Sequence, residues 1–503
     1  MKKNLLWMLA AILTCCLFMM SCAAHEDNPG SPTYPEKPRY PDNFDVFATL
    51  KGNAGDPAVV AALKTLENVE DLKPFMNVNL GQAYYFNYKQ LVDHNDPSKG
   101  TFKQQVVLTF VSKDAPTILH TQGYALTLAQ EGHSHNRLDS IGAPNLLWTL
   151  SKNGDQDVFD LNCVQVEYRY HGFSLPEGEE DSFKYLSAEQ QSKDLHAIVA
   201  DLKKALITGG GKWLSTGVSK NGMTTAQYAY YDEQNGWNDI DVYVPFVAPI
   251  PPQEFDLRIG TYMLTQSSKA VLADLEKAYR RLADDKTIAD ATIEAIKKKY
   301  PGEDASQITY SSMATAVIAH LFSMQSYGDI DTWKKFIPTE NSTPEEYATF
   351  FMLDDNDNRI YRNTDNSRHA AAGRQDPFKM QIGIDQGNLG YDYTWFLDGK
   401  LLSDADKQSL KKMMEDSKNS KAIDLEVKLL ENLKTTKKKL IFVYGENDPW
   451  TGAAIPDPTN DNVKKHIVPC GTHTDNFAQY AWYPGGKEVA DKILADIKAL
   501  MNQ

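Results

Sequence analysis

Three segments of the 503-residue chain each end a strand-like apolar run in a glycine turn that presents a residue suited to acyl-transfer chemistry. Residues 213–228 (WLSTGVSKNGMTTAQY) pass from a strand pattern through Gly-x-Ser-x-x-Gly into a helical pattern. A turn that tight lifts Ser219 Oγ above a sheet and aims the N–H of the next residue, Lys220, at the place where a tetrahedral oxyanion forms. Gly217, two residues before the serine, leaves room for the backbone to cross. Residues 440–450 (LIFVYGENDPW) read as a buried strand closed by Gly445 and followed by Asp448. Residues 468–475 (VPCGTHTD) repeat the device with Gly471 and His473. A serine hydroxyl is a poor nucleophile at neutral pH unless an imidazole takes its proton, and a carboxylate must hold that imidazole in the right tautomer. Ser219, Asp448 and His473 supply these groups in the chain order Ser…Asp…His, each beyond the end of a strand. His466 lies inside the strand pattern of residues 463–469 and lacks the loop freedom a base needs, so His473 is the expected base. Such a set serves amide and ester hydrolysis alike.

The elements that must position these groups follow from periodicity. Residues 82–88 and 104–111 read as β-rich runs in a hairpin-like arrangement across residues 95–100. Short apolar runs at 116–120, 163–168, 213–216 and 242–247 alternate with helical patterns such as 188–205, which indicates a mostly parallel sheet covered on both faces. From residue 251 to 433 helical periodicity dominates, at 268–283, 288–299, 311–324 and 404–417. The sheet signal returns at 440–444 and 463–469, and a final amphipathic helix spans 487–501. The fold class expected is α/β, an α/β-hydrolase sheet with an inserted helical cap domain. Its parts are the hydrolase domain at 47–250 and 434–503 and the cap at 251–433. Tandem domains would leave the last two strands without a sheet.

The residues also carry a resemblance. The chain resembles the secreted tripeptidyl aminopeptidase family of serine peptidases, cousins of prolyl carboxypeptidase and dipeptidyl peptidase II. The matching stretches are VEYRYHGFSLP (166–176), YLSAEQ (185–190) with Asp194, the serine elbow, YGENDPW (444–450) and GTH (471–473). The resemblance implies a helical cap over the site and cleavage near a peptide N-terminus, often after proline. The family elbow usually reads Gly-Gly-Ser-x-Gly-Gly; here Val218 precedes the serine and Asn221 replaces a glycine, and Asn tolerates positive φ. In the cap, QGNLGY (386–391) resembles a segment that commonly carries glutamate where Asn388 stands. An aminopeptidase must pair the substrate ammonium with carboxylates, and Asp385 and Asp392 are the expected substitutes. Tyr391 and Trp395 are read as substrate-pocket lining or cap core. In this fold the second oxyanion donor comes from the loop after an early strand, here Gly123 or Tyr124 in HTQGY (120–124). Glu167 and Arg169 are read as a buried ion pair bracing the sheet end.

Composition bounds the rest. A net charge of −15 does not suit a phosphate backbone, so no nucleic-acid partner is expected. The 42% hydrophobic and 11% aromatic content is ample for a core. Lys2 and Lys3, the apolar stretch from Leu5 to Met20, and Ser21-Cys22 describe a secretory signal over residues 1–21. Ending at Ser-Cys points to lipidation of Cys22. Residues 22–46 follow as a proline-rich tether, with five prolines between His25 and Asn43. The localisation expected is exported and lipid-anchored at a bacterial membrane, on the periplasmic or cell-surface face. Cys163 and Cys470 are too few for a disulfide framework and read as small buried residues. His133-Ser-His135 lacks a matched ligand set, and Asp354-Asp-Asn-Asp-Asn358 has Arg359 where a calcium loop needs glycine, so neither metal nor other cofactor is expected. The function expected is an exported serine peptidase acting near the N-terminus of short peptides through an acyl-enzyme on Ser219. A serine esterase on the same triad and a catalytically silent peptide-binding lipoprotein are the alternatives.

Overall fold

The computed structural model describes residues 50–77, 80–124, 126, 146, 161–176, 183–299, 309–327, 334–351, 377–475 and 477–501. The expected signal, tether, Cys22, His133-Ser-His135 and calcium-like loop lie outside the described residues. The strands are β1 (Val69–Asn77), β2 (Gly81–Leu91), β3 (Thr101–Thr109), β4 (Thr117–Thr121), β5 (Asn162–Val166), β6 (Trp213–Val218), β7 (Val242–Phe246), β8 (Phe255–Asp256), β9 (Asn388–Leu389), β10 (Lys439–Gly445) and β11 (Val463–Val468). All but β8 and β9 form one nine-stranded sheet, ordered β1-β2-β3-β5-β4-β6-β7-β10-β11. From β5 to β11 every neighbour is parallel; β1, β2 and β3 add an antiparallel edge. The exchange of β4 and β5 in the order, the antiparallel β3 beside it and the run of parallel strands onward are the α/β-hydrolase pattern. The hairpin between β2 and β3 forms as expected, with register Leu91↔Thr101 through Ala83↔Thr109.

Alternation along the parallel strands feeds two cores. Tyr243, Leu440, Phe442 and Tyr444 face one side with α1 (Pro57–Lys64), α2 (Ala188–Ala205) and α3 (Lys220–Asn235). Val242, Val244, Ile441 and Val443 face the other, under the final helix, Gly486–Met501. Local chemistry sets the start of α2 and the end of α3. Ser187 Oγ caps α2 by accepting from Gln190 N, and Gly236 ends α3 in the left-handed conformation at φ 66°.

Between β7 and β10 the chain builds a layer of its own. Helices α4 (Leu257–Thr265), α5 (Leu272–Asp284), α6 (Lys286–Lys299), α7 (Tyr310–Tyr327), α8 (Pro344–Phe351) and α9 (Asp404–Lys418) surround or abut a separate apolar cluster that includes Ile259, Leu275, Leu282, Ile318, Phe322 and Leu410. Among the described residues of this stretch, one helix packs differently. Helix α10 (Asp424–Asn432) lies in that segment, yet Leu429 and Leu433 join the sheet-face core beside Leu440. The C-terminal helix is α11 (Gly486–Met501). No described helix is long and apolar enough to cross a membrane.

Candidate active site

Strand β6 stops at Val218 and α3 begins at Lys220, which leaves Ser219 alone in the turn at φ 60°, ψ −127°. That is a strained conformation for a residue with a side chain, and the surroundings impose it. Ser219 N donates to Phe246 O of β7 at 2.9 Å, and its carbonyl accepts from Met223 N at 2.9 Å. A Cβ on Gly217 would stand 2.4 Å from Asn221 O, and one on Gly222 2.7 Å from Phe246 O. Glycine at both positions lets the helix start directly over the strand. Asn221 is helical rather than in positive φ, so the left-handed tolerance expected of it is not used; the positive φ falls on Ser219 itself.

The loops after β10 and β11 close on this elbow. His473 Nε2 lies 2.8 Å from Ser219 Oγ, and His473 Nδ1 lies 2.8 Å from Asp448 Oδ2. The side chains of His473 and Asp448 are wholly buried, and Ser219 is 5% exposed. Asp448 Oδ1 accepts from Trp450 N at 3.0 Å, which fixes the carboxylate plane. Gly445 and Gly471 pack so closely that a Cβ on Gly445 would sit 2.4 Å from Gly471 O. Asn447 N donates to Gly471 O at 2.8 Å, and Asp475 Oδ2 accepts from Thr472 N and from Tyr483 Oη. The His473 backbone N–H donates to Ser326 O at the end of α7, 3.0 Å away. His466, by contrast, faces α11 and pairs with Asp496 Oδ2 at 2.8 Å. The arrangement can relay a proton from a serine hydroxyl to an imidazole backed by a carboxylate.

Two other expectations, for Arg169 and for Gly123, need correction. Arg169 does not pair with Glu167. It makes a bidentate pair with Asp194 in α2, Nε–Oδ2 and Nη2–Oδ1 both 2.7 Å, and its remaining donors go to the carbonyls of Leu91, Val92 and Tyr185. Glu167 instead gathers the N–H groups of Leu126, Phe173 and Ser174 and the Ser174 hydroxyl. Burial pushes the Glu167 carboxyl up to about 7. The N–H of Gly123 is already donated to Asn221 Oδ1, so it is not the oxyanion donor; Tyr124 remains on the same loop. Asp385 is buried, with Oδ2 accepting from Ala188 N at the start of α2 and Oδ1 from Gln381 Nε2. Desolvation raises its carboxyl to about 6 against the lowering effects of that N–H and of the Lys220 charge. Asp392 accepts from Thr261 Oγ1 at 3.1 Å and Thr394 N at 2.9 Å. Asn388 is buried, its Oδ1 accepting from Leu389 N. Tyr391 and Trp395 belong to the apolar core of the helical layer, Trp395 against Tyr279 at 5.7 Å between centroids, so packing rather than substrate lining accounts for their burial. Cys163 is buried in β5 and Cys470 half-buried. Sequence reasoning missed Glu426, a wholly buried carboxyl held by Gln227 Nε2 at 2.8 Å, with Oε2 lacking a hydrogen-bond partner among the described residues. Burial, opposed by Gln227 and reinforced by Asp385, pushes it up to about 8. Its spacing in an ordinary amphipathic helix gave no sign of this. Among the described residues no cluster of His, Cys, Asp and Glu could hold a metal ion.

With the sheet order and the serine elbow in place, the class is defined: this is a serine hydrolase of the α/β-hydrolase fold. The model of the PS-10 peptidase S37 family matches residues 66–254. The prolyl tri/tetrapeptidyl aminopeptidase of Streptomyces mobaraensis is 24% identical over 416 residues, covering 81% of this chain and 78% of that protein. Both likenesses are to serine peptidases, in line with the resemblance carried by the sequence motifs. Among solved structures, the proline iminopeptidase of Mycobacterium smegmatis is similar at 13% identity and a TM-score of 0.35, over 82% of this chain and 99% of that one. The homoserine O-acetyltransferase of Staphylococcus aureus is similar at 13% identity and a TM-score of 0.36, over 81% and 94%.

Proposed function

We propose that the chain is an exported, lipid-tethered aminopeptidase that removes short fragments from the N-termini of peptides through an acyl-enzyme on Ser219. The observation that carries the reading is the continuous line Ser219 Oγ, His473, Asp448, with 2.8 Å at each contact and all three side chains out of water. His473 takes the hydroxyl proton as Oγ attacks the scissile carbonyl and returns it to the leaving amine. Asp448 stabilises the imidazolium between these steps, and water then repeats the cycle on the acyl-enzyme. The Lys220 N–H, first in α3, serves as an oxyanion donor. The relative from Streptomyces mobaraensis is named for prolyl tri- and tetrapeptidyl release, which supports peptide N-termini as the substrate class here.

The helical layer between β7 and β10 acts as a cap that favours short or extended peptides over folded proteins. Of the two candidate anchors for the substrate ammonium, Asp385 lies in electrostatic reach of Lys220, the residue after the nucleophile. The test compares a short peptide with its N-acetylated twin. Acetylation removes one charge-assisted contact and should lower kcat/KM by about tenfold or more. Equal cleavage of both defeats the aminopeptidase reading and leaves the hydrolase standing. Export and anchoring rest on Lys2, Lys3, the apolar run to Met20 and Cys22. Incorporation of labelled palmitate, lost in Cys22→Ser, tests them; equal labelling of both chains refutes the anchor.

A further inference from the structure

The two residues after the nucleophile point their side chains at one loop, and each takes hold of a different end of the same residue. Asn221 Oδ1 accepts from the N–H of Gly123, and Lys220 Nζ donates to the carbonyl of Gly123. The rest of the loop is tied to the same turn. Asn221 Nδ2 donates to Gln122 Oε1 at 3.2 Å, while Thr121 Oγ1 meets Asn221 O at 2.7 Å and Thr225 Oγ1 at 2.6 Å. Glycine is required at 123 because a Cβ there would lie 2.6 Å from Lys220 Cγ and 2.9 Å from Asn221 Oδ1.

The Lys220 ammonium is buried, with the residue 4% exposed, and its setting is built for a cation. It lies over the rings of Tyr168 and Tyr124, at 4.4 and 5.0 Å from their centroids, and 3.4 Å from His171 Nε2. Tyr168 and His171 stand on the turn that Glu167 organises through Phe173 and Ser174. Gly172 adopts φ 59° there, and a Cβ on it would fall 1.9 Å from Glu167 Oε1. The conspicuous VEYRYHG segment thus makes the shelf on which the lysine rests.

We propose that the side chains of Lys220 and Asn221 are positioning residues: they lock the Gly123–Tyr124 peptide so that the Tyr124 N–H completes the oxyanion site with the Lys220 N–H. A trans peptide points its C=O and N–H in opposite directions. Holding the Gly123 carbonyl on the ammonium therefore turns the Tyr124 N–H away from it, and holding the Gly123 N–H on Asn221 fixes the preceding peptide plane, so both planes that flank the Gly123 Cα are pinned. A donor fixed in advance costs no reorganisation when charge develops, which is where its catalytic value lies. Asn221 departs from the glycine usual at this place in the family, so this chain carries a latch of its own. The inference rests on the serine-hydrolase reading.

The experiment uses the full chain with Asn221→Ala and Lys220→Met, each of which leaves the backbone donors intact. It measures kcat and KM on a free N-terminal peptide anilide, the fluorophosphonate labelling rate and the Ki of a peptide boronate. Labelling of the parent and its loss in Ser219→Ala establish the nucleophile first. The latch then requires kcat and the labelling rate to fall by about 10-fold or more in each variant, the boronate to weaken in parallel, and KM to stay within about threefold. Unchanged kcat and labelling in folded variants, or a rise in KM alone, overturns the latch while the hydrolase reading stands. A parent that no fluorophosphonate labels overturns both. If Lys220→Met does not fold, Asn221→Ala, at a half-buried position, carries the test.

Discussion

Replacing Asp448 with asparagine should disable the enzyme through a tautomer rather than through lost packing. Asp448 uses its two oxygens differently: Oδ1 accepts from Trp450 N at 3.0 Å and Oδ2 faces His473 Nδ1 at 2.8 Å. An asparagine has one oxygen, and the buried Trp450 N–H must keep an acceptor or lose about 1–3 kcal/mol. The amide oxygen therefore stays on Trp450 and the amide N–H group turns to His473 Nδ1. That nitrogen must now accept, so the ring proton moves to Nε2, the atom 2.8 Å from Ser219 Oγ. An imidazole protonated there cannot take the serine proton. The same substitution in the serine-protease template costs about 10⁴ in kcat, or about 5.4 kcal/mol, with geometry preserved. Steady-state kinetics on a peptide anilide, paired with a melting curve, should show Asp448→Asn down by about 10³–10⁴ in kcat at nearly parental Tm. A folded Asp448→Asn within tenfold of the parent refutes the tautomer argument and the assignment of Asp448 as the orienting carboxylate.

Three further outcomes follow. Ser219→Ala should abolish fluorophosphonate labelling and leave peptide turnover lower by orders of magnitude, with the fold intact; turnover at the parental rate would move attention to Ser215 on β6. His473→Ala should lose activity to a similar extent, while His466→Ala, which gives up only its pair with Asp496, should keep kcat within about threefold. Loss in the His466 variant alone reverses the assignment of the base. Glu426→Gln should change the pH dependence of stability. Because burial raises the Glu426 carboxyl from 4.5 to about 8, its favourable contribution is present in acid and fades as pH rises through about 8. A neutral glutamine keeps an acceptor for Gln227 and escapes that loss. Melts at pH 5 and pH 9 should show the variant gaining on the parent by up to about 4 kcal/mol at the higher pH, and a constant gap refutes the assignment.

What the sequence revealed is what apolar periodicity and turn chemistry encode locally. The parallel strands are short apolar runs bounded by Gly, Pro or polar turns, and most of the long helices carry an apolar stripe, so both kinds appear in the structure near their expected bounds. Strand β1 gives no strand signal because Glu70, Asp71, Lys73 and Pro74 break its alternation; it is the edge strand of the sheet, met on its outer side by the bridge of Gly52 to Phe75. Arg169 was assigned the wrong partner because Glu167 is two residues away, whereas Asp194 reaches it only once α2 folds over the end of β5. Removing one member of such a buried pair strands the other charge and costs about 3–5 kcal/mol. Asn221 was read for its backbone, and its contribution is a side-chain bond to a residue 98 positions earlier, which no local pattern encodes.

The helical layer is bound to the proton relay more closely than an insertion between two strands suggests. Ser326 at the end of α7 holds the His473 N–H, Tyr262 of α4 donates to Glu446 O at 3.0 Å, and Ser267 donates to Asn447 O. Trp450, two residues past Asp448, is counted in the core of the layer and packs edge-on against Phe322 at 5.2 Å. The loops that carry the acid and the base are thus the floor of this layer as much as the rim of the sheet. Lifting the layer as one rigid lid would pull Trp450 out of an apolar core and strip the His473 N–H of its acceptor. Both penalties fall on the groups that activate Ser219. Access to the nucleophile must therefore come from parts of the layer other than α4 and α7, and a chain shortened to the bare sheet would be a poorly aligned enzyme rather than an open one.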